Sequence, residues 1–345
     1  LPDTLFVIVG RFPRNPALYY QMRIERVKEE LASDPNRPDL YDDIAVACDR
    51  IGRSDEAIAW MLKKKQVLAQ VAVFDSNKDA LYRYYANIGT FYAHRWIRSG
   101  ADRENMQDLE YARRAIAKAI EINPNAHFGR EIFQLWAIEW LLSSDQEKTL
   151  GEWMETRADE AGIEIEKQIE GLRGLIVLGN AWESVDVFEA MSRALSSKHA
   201  TLAHAANLRI AELRAAGKRP LKPETWENKR LPQPNVLYGS VLDHAAREYK
   251  RLREEAGEYQ SKRTAFMMAR LQQGRHPDTD PTFWQGWVEP PLPEVRSAPL
   301  LVRAQLYQGE IITVVVLVAV LFLAFLLGTW TLRSLVRLVT HGRTK

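Results

Sequence analysis

The sequence has a single cysteine, Cys48. One thiol cannot form an intrachain disulfide or a thiolate zinc or iron–sulfur site, so Cys48 is expected as a small buried hydrophobe. The catalytic signatures HExxH, GxSxG, GxGxxG, the P-loop and CxxCH are all missing. The seven histidines are scattered. His199 and His204 stand five apart, a poor spacing for two ligands on one helix, and His94 falls at a predicted helix end. Charge of one sign is also missing: the net charge is +2, with four basic residues after position 332, so the rest of the chain is close to neutral. Nothing here favours nucleic acid as a partner. Strand-like alternation is scarce, and the run LFVIV at residues 5–9 suits either a strand or a short helix. The inventory implies no catalytic residue, cofactor or metal.

Two features stand against these absences. Hydrophobic residues make up 46% and charged residues 27%, enough apolar content to bury a core. Residues 311–332, IITVVVLVAVLFLAFLLGTWTL, run for 22 positions without a charge. As a helix that run would cover ~33 Å, the depth of a bilayer's hydrocarbon core. Tyr307 and Trp330 sit near its ends, where aromatic rings favour the interface. The following tail, RSLVRLVTHGRTK, carries four basic residues and no acid, against Arg296 and Arg303 on the other side. The positive-inside rule places this tail in the cytoplasm and the large N-terminal part in the periplasm or outside the cell. A first residue of Leu1 fits a removed secretion signal or a trimmed chain. The competing topology is a tail-anchored protein facing the cytoplasm. Within the span, Ala324 and Gly328 make a small-xxx-small step suited to close helix packing, with Thr331 near the same side and Phe322, Phe325 and Leu326 turned to lipid.

The remainder reads as helices punctuated by proline. Residues 17–31 form one helix, closed by Asp34-Pro35. In residues 38–68, Tyr41, Ile44, Ala45 and Cys48 share a face; Gly52 makes a turn; Ala57, Met61 and Lys64 follow on a second helix. The arrangement recurs with Tyr85, Ile88, Gly89 and Tyr92, a polar turn at HRWIRSGADRENMQ, then Ala112, Ile116, Ala119 and Pro124. Alanine and glycine on a buried face let two backbones approach, so Ala112, Ala119 and Gly89 are expected at helix crossings. These offsets resemble the tetratricopeptide repeat. The resemblance covers about 90 residues well and about another 90 weakly. It departs at Lys64, where the family has alanine, in the missing proline of the first unit, and in an insertion of about ten residues inside the second. Residues 125–142, with Phe128, Ile132 and Leu135, read as the first helix of a third unit. Residues 171–195 and 201–216 keep the helix-hairpin texture without the signature.

Beyond the hairpins, residues 220–234 (PLKPETWENKRLPQP) read as a turn-rich linker. Residues 241–272 read as a long charged helix, with Leu242, Ala245, Tyr249 and Leu252 inward, suited to capping the end of the array. Residues 278–299 are rich in proline, and Trp284 and Trp287 face a membrane or partner or pack back on the domain. The expected fold is all-α: an N-terminal helical segment (1–37), a TPR-like solenoid (38–217), a charged capping region (218–277), a Pro/Trp-rich linker (278–309), a membrane helix (310–332) and a basic cytoplasmic tail (333–345). The resemblance implies protein binding along the inner face, where Asp42, Asp49, Arg50, Arg83 and Trp136 are the candidate contacts. It points to a membrane-anchored scaffold or accessory subunit of a membrane complex, bound to other proteins and to the bilayer through residues 311–332. The alternative is a cell-envelope enzyme whose site is assembled from distant residues, and a cleft with paired carboxylates would be its mark.

Overall fold

A computed structural model describes residues 3–70, 78–124, 126–227, 229, 231 and 239–297. Contacts divide the chain into one unit of Leu1–Asn235 with Ala245–Glu294, and another of Val236–His244 with Val295–Lys345. Few residues of the second unit are described; there, the imidazole of His244 meets the carbonyl of Arg296 at 3.1 Å. The fold is all-α, and no strand occurs among the described residues. The helices are α1 (Thr4–Val9), α2 (Ala17–Ser33), α3 (Pro38–Arg50), α4 (Ser54–Gln70), α5 (Lys78–Arg98), α6 (Gln107–Ile122), α7 (Arg130–Leu142), α8 (Leu150–Ala161), α9 (Ile165–Val177), α10 (Val185–Ser196), α11 (Ala200–Ala215) and α12 (Gly239–Leu271). No helix among the described residues is long and apolar enough to cross a membrane. The apolar run at 311–332, with Ala324 and Gly328, lies outside them.

Local chemistry sets the helix ends. Pro38 opens α3, where its missing N–H costs nothing, and Asp39 sits in the first turn. Thr149 and Glu152 form a reciprocal capping box on α8. Helices from α2 to α7 pack in chain order, each on the next, and α3 also touches α5. Beyond α7 the order loosens: α8 and α9 both pack on α7 and on α10, which packs on α11. One apolar core lies among α2 to α5, around Ile24, Val27, Ile44 and Met61. A second runs from α5 to α12 through Trp96, Leu109, Phe133, Trp140, Phe188 and Leu252. Tyr41, Ile44, Ala45 and Cys48 are all buried in the first, so the lone thiol is a core residue and burial pushes it up to about 12.

The small-residue crossing is present. A Cβ on Gly89 would stand 2.8 Å from Ile116 Cγ1 and 3.2 Å from the Ala112 carbonyl. Ala112, Ile116 and Ala119 are fully buried, Ala119 against Tyr82 and Ala86.

Several expectations need correcting. Of the two forms open to LFVIV, the short helix is the one present: α1 is capped by the Asp3 side chain and buries Val7, Ile8 and Val9 beside α9 and α11. The N-terminal segment is therefore divided, with α1 and Phe12 in the second core and α2 in the first. The polar stretch at 94–107 is not all turn. Helix α5 continues to Arg98 because Trp96 is buried, its indole N–H shared by the carbonyls of Asp102 and Asn105 at 3.0 and 3.1 Å. The segment expected as one helix over 125–142 instead has a 3-10 turn, Ala126–Gly129, before α7 begins at Arg130. The Phe128 side chain lies outside the described residues. Within the linker, Lys222 is fully buried, and its ammonium donates to the carbonyls of Trp140, Ser143 and Asp145 at 3.1, 3.2 and 2.5 Å. The long helix does more than cap an end. Tyr249 and Arg253 bond Glu212 of α11, while Gln260 and Arg263 bond the backbone carbonyl of Arg14. Residues 278–289 also pack on the domain: Asp278 pairs with Arg23 and Arg26 of α2, and Phe283 is buried against Tyr19, Met267 and Leu271.

Candidate functional site

Asp42 and Asp49 lie seven residues apart on α3, two helical turns, and so share one face. Asn87 and His94 repeat that spacing on α5. The two pairs join in register. Asn87 Nδ2 donates to Asp42 Oδ1 at 3.0 Å, and His94 Nδ1 lies 2.9 Å from Asp49 Oδ2, each across 45 residues. Thr90, midway on α5, accepts from Gln134 Nε2 of α7 at 2.9 Å, and Tyr82 donates to Glu131 of α7 at 2.8 Å. A polar ladder thus runs from α3 through α5 to α7.

The two rungs on α3 differ in electrostatics. Burial pushes the Asp42 carboxyl above its ordinary range, and the Lys64 ammonium at 2.5 Å and Asn87 offset this only in part. Burial likewise lowers Lys64, against the opposing pull of Asp42. Lys64 is thus the buried counter-ion of Asp42. At Asp49 burial also raises the carboxyl, but the hydrogen bond and charge of His94 and the Arg98 guanidinium at 2.6 Å outweigh it, and Asp49 is held below the usual carboxylate range. Arg98 further donates to the Asp49 carbonyl and the Ser54 hydroxyl.

Part of this face is covered by the chain itself. Arg50 Nη2 donates to the Leu178 carbonyl at 2.7 Å, and His94 Nε2 meets the Gly179 carbonyl at 3.3 Å. Both His94 nitrogens thus face acceptors. A neutral ring satisfies one of them and an imidazolium satisfies both.

Of the expected contacts, Asp42 and Asp49 are buried inside these clusters, and Arg50 is half-buried under residues 178–179. Trp136 is buried edge-on against Phe133. These four are engaged within the fold because the neighbouring helix or loop covers them. Arg83 is exposed and pairs with Asp79 at 2.6 Å, close enough to Asp42 to help hold it ionised. In the sequence, Lys64 stands only as a departure from the repeat and His94 only as a helix-end histidine, and Asn87 and Arg98 do not stand out on their own. The constant 45-residue offset was the signal that could have found the Asn87 and His94 partners.

A second polar cluster lies on α10. Glu189 accepts from the Thr149 hydroxyl at 2.9 Å and the Gly151 amide at 2.7 Å, and burial raises it. Asp186, also fully buried, accepts from the Leu221 amide and the Trp226 indole, and burial pushes it up to about 7. These carboxylates fix the start of α8 and the turn at Leu221 and Trp226. Among the described residues, no group of three or more His, Cys, Asp or Glu side chains could hold a metal ion. Comparison with protein-family models, curated proteins and solved structures finds no match to this chain.

Proposed function

We propose that this protein is a membrane-anchored, TPR-like interaction protein, serving as a scaffold or accessory subunit of a membrane complex. Residues 311–332 cross the bilayer, the basic tail 333–345 lies in the cytoplasm, and the helical region lies on the other side. The observation that carries the reading is the common register of α3 and α5. Asp42–Asn87 and Asp49–His94 repeat one 45-residue offset, while Gly89 admits Ile116 and Ala112 at the hairpin crossing. Hairpins stacked in a single direction present successive first helices side by side, which is how repeat arrays build an extended binding surface. Arg83 is the expected contact left open on that surface. In the membrane, Ala324 and Gly328 would let a partner's helix approach closely.

Purification from native membranes in a mild detergent tests the proposal. The chain is expected to elute with a stoichiometric second protein, and elution alone contradicts it. Topology is read separately: protease added to spheroplasts should digest the helical region and spare a C-terminal tag. The reverse pattern establishes the tail-anchored form.

A further inference from the structure

The large apolar side chains that stand exposed are unevenly spread among the described residues. Leu62, Ile97 and Tyr111 are scattered, whereas Trp284, Val288, Leu292 and Val295 fall within twelve positions, Val288 being 84% and Leu292 61% exposed. In the first unit, Trp284, Trp287, Val288 and Leu292 belong to a segment with a firm base. Phe283 is fully buried and anchors it. Phe266 of α12 stacks parallel to Trp284 at 5.8 Å and meets Trp287 at 5.2 Å. Arg270 lies over Phe266 and donates to the Gln285 carbonyl at 2.6 Å. An exposed apolar ridge held on such a platform marks a docking surface.

We infer that this ridge docks on the headgroup–acyl boundary of the bilayer. The inference rests on the reading of residues 311–332 as a membrane span. Trp rings at a surface suit that boundary, where an apolar body and a polar N–H are both accommodated. The ridge's one acid, Glu289, is already engaged by the Trp287 indole at 2.8 Å and the Arg11 guanidinium at 3.5 Å. Its charge therefore opposes contact with lipid less than a free carboxylate would. Chain length supplies the third argument. From Leu292 to the start of the apolar run at residue 311 is 19 residues, which reach ~65 Å at most when fully extended. A span would hold the ridge permanently within that distance of lipid, and a surface so tethered needs little affinity of its own.

The test uses the full chain in phosphatidylethanolamine–phosphatidylglycerol liposomes, with a nitroxide on Val288→Cys. Cys48 is fully buried, so the parent takes no label. The reference is a nitroxide on Leu62→Cys, exposed elsewhere in the unit. The label at 288 is expected to be several-fold more accessible to oxygen than to a water-soluble nickel chelate, and the label at 62 the reverse. Adding Leu292→Asp should move position 288 towards the reference. A chain that resists carbonate extraction while its 288 label stays as wet as the 62 label overturns the ridge and leaves the span standing. A chain that carbonate extracts overturns the span and the ridge together. Spin–spin broadening at 288 without oxygen preference assigns the ridge to a second copy and also overturns the inference.

Discussion

Helices α3–α6 and helices α7–α12 are built from similar material but held by different means. In α3–α6, small residues meet at a crossing and polar side chains pair helix to helix in a fixed register, as Gly89 with Ile116 and Asp49 with His94 do. In α7–α12, long or charged side chains reach far along the chain to seize loop backbone. Lys222 holds carbonyls 77 to 82 residues away, Glu189 holds the start of α8, and Asp186 holds the turn at Leu221 and Trp226. Packing of helix on helix leaves a periodic trace in sequence, because the same face returns every three to four residues. A single side chain that pins a loop leaves none.

The largest expected effect lies in the second region. Glu189→Ala removes the acceptor of the buried Thr149 hydroxyl and Gly151 amide and should cost ~2–5 kcal/mol in urea unfolding. Glu170→Ala on α9, whose partner Lys167 is largely exposed, should stay within ~0.5 kcal/mol. Equal losses would erase the contrast.

Crossings come next. Ala119→Leu should overpack the contact with Tyr82 and Ala86 and cost ~1–3 kcal/mol, whereas Lys118→Leu, one position outward, should cost little. Gly171→Ala tests whether the second region also depends on a close approach, since a Cβ there would enter the Phe133 ring. A comparable loss would blur the comparison at this point and leave the pinned loops as the difference.

Acidity gives a smaller and opposite signature in the two regions. Asp186, pushed up to about 7 by burial, keeps its proton in the fold to higher pH than in the unfolded chain. Its contribution therefore falls as pH rises from about 4 to about 7. Asp49 is held below its usual range, so its contribution is present above about 4 and is lost as pH falls through its folded value. In a Tm series, Asp186→Asn should gain on the parent as pH rises through this window. Asp49→Asn should lose ground as pH rises from acid towards about 4. Parallel curves would contradict both assignments. Apart from the reference changes at Glu170 and Lys118, the smallest effect is expected for Arg50→Ala, ~1 kcal/mol, because this half-buried side chain gives one hydrogen bond to Leu178.

Legibility follows the same division. The helix at 17–31 is Ala17–Ser33, the first hairpin at 38–68 is α3 with α4, and the charged helix at 241–272 is Gly239–Leu271. Each carries several turns of regular apolar spacing. Arg95 and Arg98 give residues 94–98 the polar character of a turn, yet Arg95 pairs with Asp55 and Asp108 and Arg98 with Asp49, and the segment is helical. The candidate face was half legible. The repeat resemblance put Asp42 and Asp49 on one face, but a single helix does not tell which of its faces a neighbour will cover. The docked loops at 178–179 and 220–227 had no signal beyond their prolines and glycines.

Photo-crosslinking from the surface of α5 tests the central claim most directly. Benzoylphenylalanine is placed at Arg83, whose side chain is 51% exposed, and separately at Arg114 on α6, 55% exposed. In native membranes, position 83 is predicted to give one discrete adduct with a second protein and position 114 none. No adduct from 83, or the same adducts from both positions, would contradict the account.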